Sequence, residues 1–176
     1  MRLLQQFHHI TPTPNCRVEQ RLVTRGIVLK DDRILLLFTE RYNDFSLPGG
    51  GVDADESLHQ ALERELAEEA GARDIEILAD FGIVEEYRPW YKNDCNVLFM
   101  RSYCYQCSMA DELGAQQLEH YEQQNGMRPL WVPVAEAIQH NQQVMQHQTN
   151  SMGLSIVRET FLLQQIEQEL LGQTVD

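Results

Sequence analysis

Residues 47–72 read LPGGGVDADESLHQALERELAEEAGA, and the reading of the whole chain turns on this stretch. Pro48 and the run Gly49-Gly50-Gly51 forbid regular structure and let the backbone turn tightly or approach a ligand closely. The pattern then becomes helical, because Leu58, Ala61, Leu62, Leu66 and Ala70 recur at three- and four-residue spacing before Gly71 supplies a stop. The spacing predicts a helix over residues 56–70, with Asp53 or Asp55 as its cap. With Leu58 at zero and about 100° per residue, Leu62 falls at ~40°, Leu66 at ~80° and Ala61 at ~300°. Glu65 and Glu69 fall inside that apolar arc, at ~340° and ~20°, and Glu68 lies at its margin, at ~280°. Partly burying carboxylates so close together costs several kcal/mol each unless protons, arginines or metal ions compensate. Arg64 alone cannot neutralise them all, so a divalent cation on oxygen ligands is the economical answer. A glycine turn opening onto a helix N-terminus adds N–H donors for phosphate and carbonyl oxygens for a metal. The competing reading is a solvated acidic helix, salt-bridged to Arg64, beside a loop that merely turns.

Working outward, Leu22–Lys30 and Arg33–Phe38 are two apolar or β-branched runs joined by Asp31-Asp32, which predicts a hairpin. Thr39–Ser46 reads as a loop, Ile75–Glu86 and Asn96–Cys107 as strands, and Tyr87–Asp94 as an aromatic loop between them. Asp111–Gly126 is a polar, acidic excursion with some helix, and Leu130–Val132 returns as a short strand. Pro133 stands at a plausible first position of the next helix. A last helix is expected from Ser151 to Leu171, with Leu154, Val157, Phe161, Leu162, Ile166 and Leu170 as its apolar stripe. The expected organisation is an N-terminal arm or edge strand over residues 1–20, a domain over 21–141, and a C-terminal helix over 142–176. That helix packs either on the domain or at a homodimer interface.

With 176 residues, 43% hydrophobic and 23% charged, the chain suits one globular domain. Fourteen basic against 27 acidic residues leave a net charge of −13, which repels duplex nucleic acid but suits a small phosphorylated ligand whose charge is shared with divalent cations. No apolar run is long enough to span a bilayer and no secretory signal opens the chain, so no membrane partner and a cytoplasmic location are expected. Cys16, Cys95, Cys104 and Cys107 are too sparse for a disulfide framework. The odd spacing of Cys104 and Cys107 in a strand sends their side chains to opposite faces, against a shared zinc ion. The six histidines are scattered, and neither H-E-x-x-H nor a nucleophile triad is visible.

Gly50, Glu56, Arg64, Glu65, Leu66, Glu68, Glu69 and Gly71 fill every fixed position of G-x5-E-x7-R-E-U-x-E-E-x-G-U, so the segment resembles the Nudix box. Ala72 is a mild occupant of the closing apolar position. The likeness extends from about Leu22 to Ile138. It implies an α/β fold, a Nudix-type α/β/α sandwich around a mixed β-sheet, with the extra C-terminal helix added. It also implies Mg²⁺- or Mn²⁺-dependent hydrolysis of a diphosphate linkage in a nucleoside diphosphate derivative, by water attack at phosphorus.

Carried over position by position, the resemblance makes Glu65, Glu68 and Glu69 the metal ligands, joined by a carbonyl of Gly49 or Gly50. Arg64 orients these carboxylates, and Glu56 braces loop against helix. The general base varies within the family; of Asp111, Glu112, Glu119 and Glu122 the favoured candidates are Glu119 and Glu122. Arg41, Tyr42, Phe45, Gly49 and Tyr87 are the candidate substrate contacts, with the aromatics stacking on a base or else packing in the core. Tyr87 sits near a tyrosine of diadenosine polyphosphate hydrolases and Pro89 near a proline of ADP-ribose hydrolases, and the two cues cancel. The zinc ribbon of NADH pyrophosphatases and the coenzyme A signature are missing. Nucleotide sugars, ADP-ribose and dinucleoside polyphosphates lead, and nucleoside triphosphates follow. The alternative is a catalytically silent nucleotide sensor, a reading disfavoured because such domains usually lose box glutamates.

Overall fold

Successive residues of one strand face two different helical layers, and this alternation sets the architecture. In β3 (Arg33–Thr39), Ile34 and Leu36 join a core with α3 (Val134–His147) and α4 (Ser155–Ile166), while Leu35 joins another with α1 (Leu58–Ala70). Ile27 and Val28 of β2 (Val18–Lys30) divide in the same way. The result is the expected α/β/α sandwich, in a computed structural model that describes residues 1–92, 95–147 and 152–172.

Among the described residues the sheet has seven strands. Its path runs from β1 (Leu3–His8) through β5 (Glu76–Pro89), β6 (Val97–Ser108), β2 and β3 to β4 (Asp44–Ser46), and β7 (Met127–Pro133) pairs with β3. The β1–β5 and β2–β6 ladders are parallel and the others antiparallel, so the sheet is mixed. Residues 1–20 thus supply the edge strand β1 and the start of β2. Cys104 and Cys107 are both buried and belong to opposite cores, as their spacing requires. No helix among the described residues is long and apolar enough to cross a membrane.

Four local readings change. The segment expected to be a loop contains β4, which pairs with β3 from Thr39 opposite Asp44 to Leu37 opposite Ser46. Ser57, not Asp53 or Asp55, caps α1, because its hydroxyl accepts from Gln60 N (3.2 Å) while the Gln60 side chain accepts from Ser57 N (2.9 Å). Pro133 ends β7 opposite Arg33, so α3 starts one residue later. The last helix starts at Ser155. Ser151, its expected first residue, and Asp94, the expected end of the aromatic loop, lie outside the described residues.

The buried face of α4 also differs from the apolar stripe. Ile156, Leu162, Leu163 and Ile166 enter the core together with Arg158, Glu159 and Thr160, whereas Leu154 is 44% exposed. Two charged residues occupy core-facing positions, which an apolar periodicity cannot register. A π-helical turn, Glu167–Leu171, continues the helix. Truncating Leu163 to Ala should lower stability by about 2–5 kcal/mol, by the loss of buried methyl groups and the cavity left behind. In urea unfolding, the loss should be independent of protein concentration if α4 belongs to its own domain's core; a concentration-dependent loss would instead mark it as an intersubunit element.

Candidate active site

The glycine loop between β4 and α1 has almost no partners within itself, and side chains from three elements, β2, α1 and α4, take up its polar groups. Leu47 N donates to Glu159 Oε2 (2.9 Å), and Gly49 N donates to Glu69 Oε2 (2.7 Å). Arg25 Nη1 donates to Leu47 O (3.2 Å) and Gly49 O (2.5 Å), and Arg64 Nη2 donates to Gly51 O (3.0 Å). The strand β2 completes the set, with Gly26 N on Pro48 O and Thr24 N on Gly50 O, both at 2.9 Å. Gly49 is obligatory here, and Gly50 leaves room for a side chain of α1. Gly49 has φ +134°, and a Cβ there would strike the Thr24 carbonyl; a Cβ on Gly50 would strike the Glu65 carboxylate.

That loop and the acidic face of α1 packed against it together wall a cavity of about 680 Å³. Arg64 forks across this wall. Its Nε and Nη2 donate to Glu56 (2.6 and 2.9 Å) and its Nη1 to Glu65 (2.9 Å) and Glu68 (3.2 Å). The Arg64 guanidinium holds the Glu56 carboxyl down at about 2, and Glu56 in turn accepts from Asp53 N (3.1 Å), tying the loop to the helix. Burial pushes Glu65 up, against the pull of Arg64. Burial pushes Glu69 up to about 8, opposed by the Gly49 N–H and by Arg25.

The end of α1 recruits a further segment. Gln117 N donates to Glu68 O (2.8 Å), the Gln116 side chain to Glu69 O (2.5 Å) and Gly114 N to Gly71 O (2.6 Å), covering carbonyls that a helix end leaves unpaired. This clamp delivers α2 (His120–Gln124) to the cavity. Glu122 is buried, accepts from Glu119 N (2.8 Å) and Tyr121 OH (3.0 Å), and stands near enough to Glu69 to add to its upward push.

The structure therefore gathers Gly49, Gly50, Arg64, Glu65, Glu68, Glu69, Glu119, Glu122 and Tyr42 around one cavity. Glu56 lies just behind, on Arg64. Arg41 stacks on Tyr42 and donates to Asn125 Oδ1 without lining the cavity. Phe45 packs on Phe38 and His140, and Tyr87 stacks between His8 and Phe99 beside a separate hollow, because β5 continues through Pro89 where a loop was expected. Arg21, Arg25, Asp44, Arg88, Lys92, Tyr121, Ser155 and Arg158 line the cavity without having been singled out from sequence. The adjacent pair Arg158-Glu159, interrupting an apolar helix, was the available signal for the α4 side.

The donor chemistry fits a hard divalent cation: three carboxylates and loop carbonyls share one polar cavity, and Glu69 is buried with an N–H on one oxygen. Among the described residues no three His, Cys, Asp or Glu side chains form a ready-made cage; Arg64 occupies oxygens of Glu65 and Glu68 that face the same space.

Residues 20–151, well over half of the chain, match the family model of the NUDIX domain. The chain belongs to the Nudix hydrolase family. Every fixed position of the family's box is filled. Among solved structures, this Nudix hydrolase is similar to the ORF135 protein of E. coli (TM-score 0.53, 20% identity, 94% of this chain and 100% of that one covered). It is also similar to a NUDIX hydrolase from Nitrosomonas europaea (TM-score 0.52, 16% identity, 83% and 88% covered). At these identities the likeness is one of fold. An ADP-ribose pyrophosphatase from Streptococcus suis 89-1591 is 27% identical over 55% of this chain and 66% of that one, just under two thirds, at a TM-score of 0.42. No curated protein matches this chain.

Asp44, Arg88 and Arg158 also line the Nudix cavity, and they belong to a buried charge cluster. Arg158 donates to Glu86 Oε2 (2.5 Å) and to Glu159 Oε1, and Arg88 donates to Glu86 Oε1 (2.8 Å). Burial alone would raise Glu86, but Arg158 and Arg88 outweigh it and hold the carboxyl low. Asp44, 6% exposed, faces the same cluster; burial, then the charge of Glu159, push it from 3.8 up to about 6, against Arg158. The folded protein therefore binds more protons than the unfolded chain between those two values, and stability falls as pH rises through that window. Asp44→Asn removes this penalty. Its stability relative to the wild type should rise by about 2 kcal/mol between pH 4 and 7, read from denaturant midpoints; a flat difference would show that Asp44 ionises normally.

Proposed function

We propose that this hydrolase uses Mg²⁺ or Mn²⁺ to cleave the diphosphate linkage of a nucleoside diphosphate derivative by water attack at phosphorus. A nucleotide sugar, ADP-ribose or a dinucleoside polyphosphate is the leading substrate class, and a nucleoside triphosphate follows. The observation that carries this reading is the convergence of Glu65, Glu68 and Glu69 on the glycine loop inside one cavity, which Arg21, Arg25 and Lys92 also line. Those cations suit phosphate oxygens.

Glu65, Glu68, Glu69 and the Gly50 carbonyl are the groups that would hold the ion. When bound, it supplies positive charge to the nonbridging phosphate oxygens as the bridging bond breaks. Arg64 keeps the carboxylates aimed, and Glu56 fixes Arg64. Glu122 or Glu119 takes the proton of the attacking water as its oxygen bonds to phosphorus. Glu122 is the better anchored of the two, with both oxygens engaged, and it neighbours Glu69. Tyr42 offers a face to the base. The net charge of −13 favours a small-molecule partner over duplex nucleic acid, and a cytoplasmic location is part of the same reading.

A phosphate-release screen with and without Mg²⁺ or Mn²⁺ against ADP-ribose, nucleotide sugars, diadenosine polyphosphates and nucleoside triphosphates tests this. Metal-dependent turnover should fall by at least about a hundredfold in Glu69→Gln while the circular dichroism stays that of the wild type. Full activity in the folded variant would remove Glu69 from the metal site.

A further inference from the structure

We infer that Glu159, on the C-terminal helix α4, is a positioning residue for the glycine loop, which makes α4 part of the catalytic apparatus; the inference rests on the hydrolase reading above. Residue 159 lies beyond the box and beyond the segment that matches the family model. Its carboxylate is fully buried and divided between two tasks. Oε1 accepts from Arg158 Nε (3.0 Å) and Nη2 (2.5 Å), and Oε2 accepts the backbone N–H of Leu47 (2.9 Å).

A chain of charges thus runs from the sheet to the loop. Arg88 donates to Glu86, Arg158 bridges Glu86 and Glu159, and Glu159 holds Leu47. Stability alone is a poor reason for such a chain, because well-packed apolar residues often replace buried ion pairs without loss. What the chain adds is a fixed address for Leu47. Two residues on, Gly49 N–H holds the Glu69 carboxylate, and Gly50 lies against the Glu65 carboxylate. A displacement of Leu47 is therefore passed to both, and a misplacement of about 1 Å near a reacting centre can cost on the order of a hundredfold in rate.

Glu159→Gln is the informative variant, because it preserves shape but presents one acceptor oxygen to two donors. Arg158 claims that oxygen, and the amide N–H₂ is then turned toward the Leu47 N–H. The expected result is a folded protein in which the Leu47 amide proton exchanges faster, Mn²⁺ binds more weakly by calorimetry, and kcat on the best substrate of the screen falls about tenfold or more. KM should move by less than about threefold, since substrate contacts are untouched. The double variant Arg158→Met/Glu159→Gln removes the competing donor and frees the amide oxygen, so Leu47 protection and kcat should partly return; it also serves if the single variant does not fold. Wild-type kcat and Mn²⁺ affinity in folded Glu159→Gln would overturn the inference, and so would a fall in kcat with Leu47 protection unchanged. A wild-type protein that neither binds Mn²⁺ nor cleaves any compound of the screen would remove the hydrolase reading instead, while Leu47 exchange would still report whether Glu159 anchors the loop.

Discussion

Everything in this site depends on one constraint: the backbone from Leu47 to Gly51 cannot satisfy its own hydrogen bonds. Proline and glycine keep it out of helix and sheet, yet its N–H and C=O groups lie where water is largely excluded, so each needs a partner. The partners are ionised side chains from β2, α1 and α4, together with backbone groups of β2. A loop held in this way is as rigid as the elements that hold it. Carboxylates bonded to it inherit that rigidity, and this is how a turn rich in glycine becomes a precise scaffold.

Charge follows from the same constraint. Glu69 and Glu159 each give one oxygen to a loop N–H, and both are deeply buried, but their environments differ. Glu159 shares its second oxygen with Arg158 and is compensated within the fold. Glu69 has Gly49 N–H and Arg25 in its favour, and Glu65 and Glu122 against it. One buried glutamate is thereby structural in its electrostatics, and the other is left wanting positive charge in a cavity open to ligands.

Legibility followed local pattern. The helix α1 and its acidic buried face could be read because apolar spacing and carboxylate spacing lie in one short segment, and Arg64 alone links Glu56, Glu65 and Glu68. The cap was missed because two aspartates precede Ser57 and only the turn geometry chooses among them. The strand β4 is three residues long and exists through its pairing with β3, a contact that no local propensity announces. Most opaque was α4, where Arg158 and Glu159 face inward to meet Glu86 and Leu47, partners more than seventy and a hundred residues away in sequence. Tyr87 illustrates the converse: an aromatic residue that suggested a binding loop is committed to packing on His8 and Phe99.

The division of the cysteines between surface and core has a practical corollary. Cys104 and Cys107 sit in separate cores with thiols pushed by burial up to about 12, whereas Cys16 and Cys95 are half-buried. A thiol reacts as thiolate and only when reached, so a maleimide meets two distinct populations. Cys16 and Cys95 record the surface of the native protein. Cys104 and Cys107 take up label only when the layer covering each is lifted, Cys104 from the α3–α4 side and Cys107 from the α1 side. Two native thiols can thus time the opening of each half of the sandwich, without any residue being introduced.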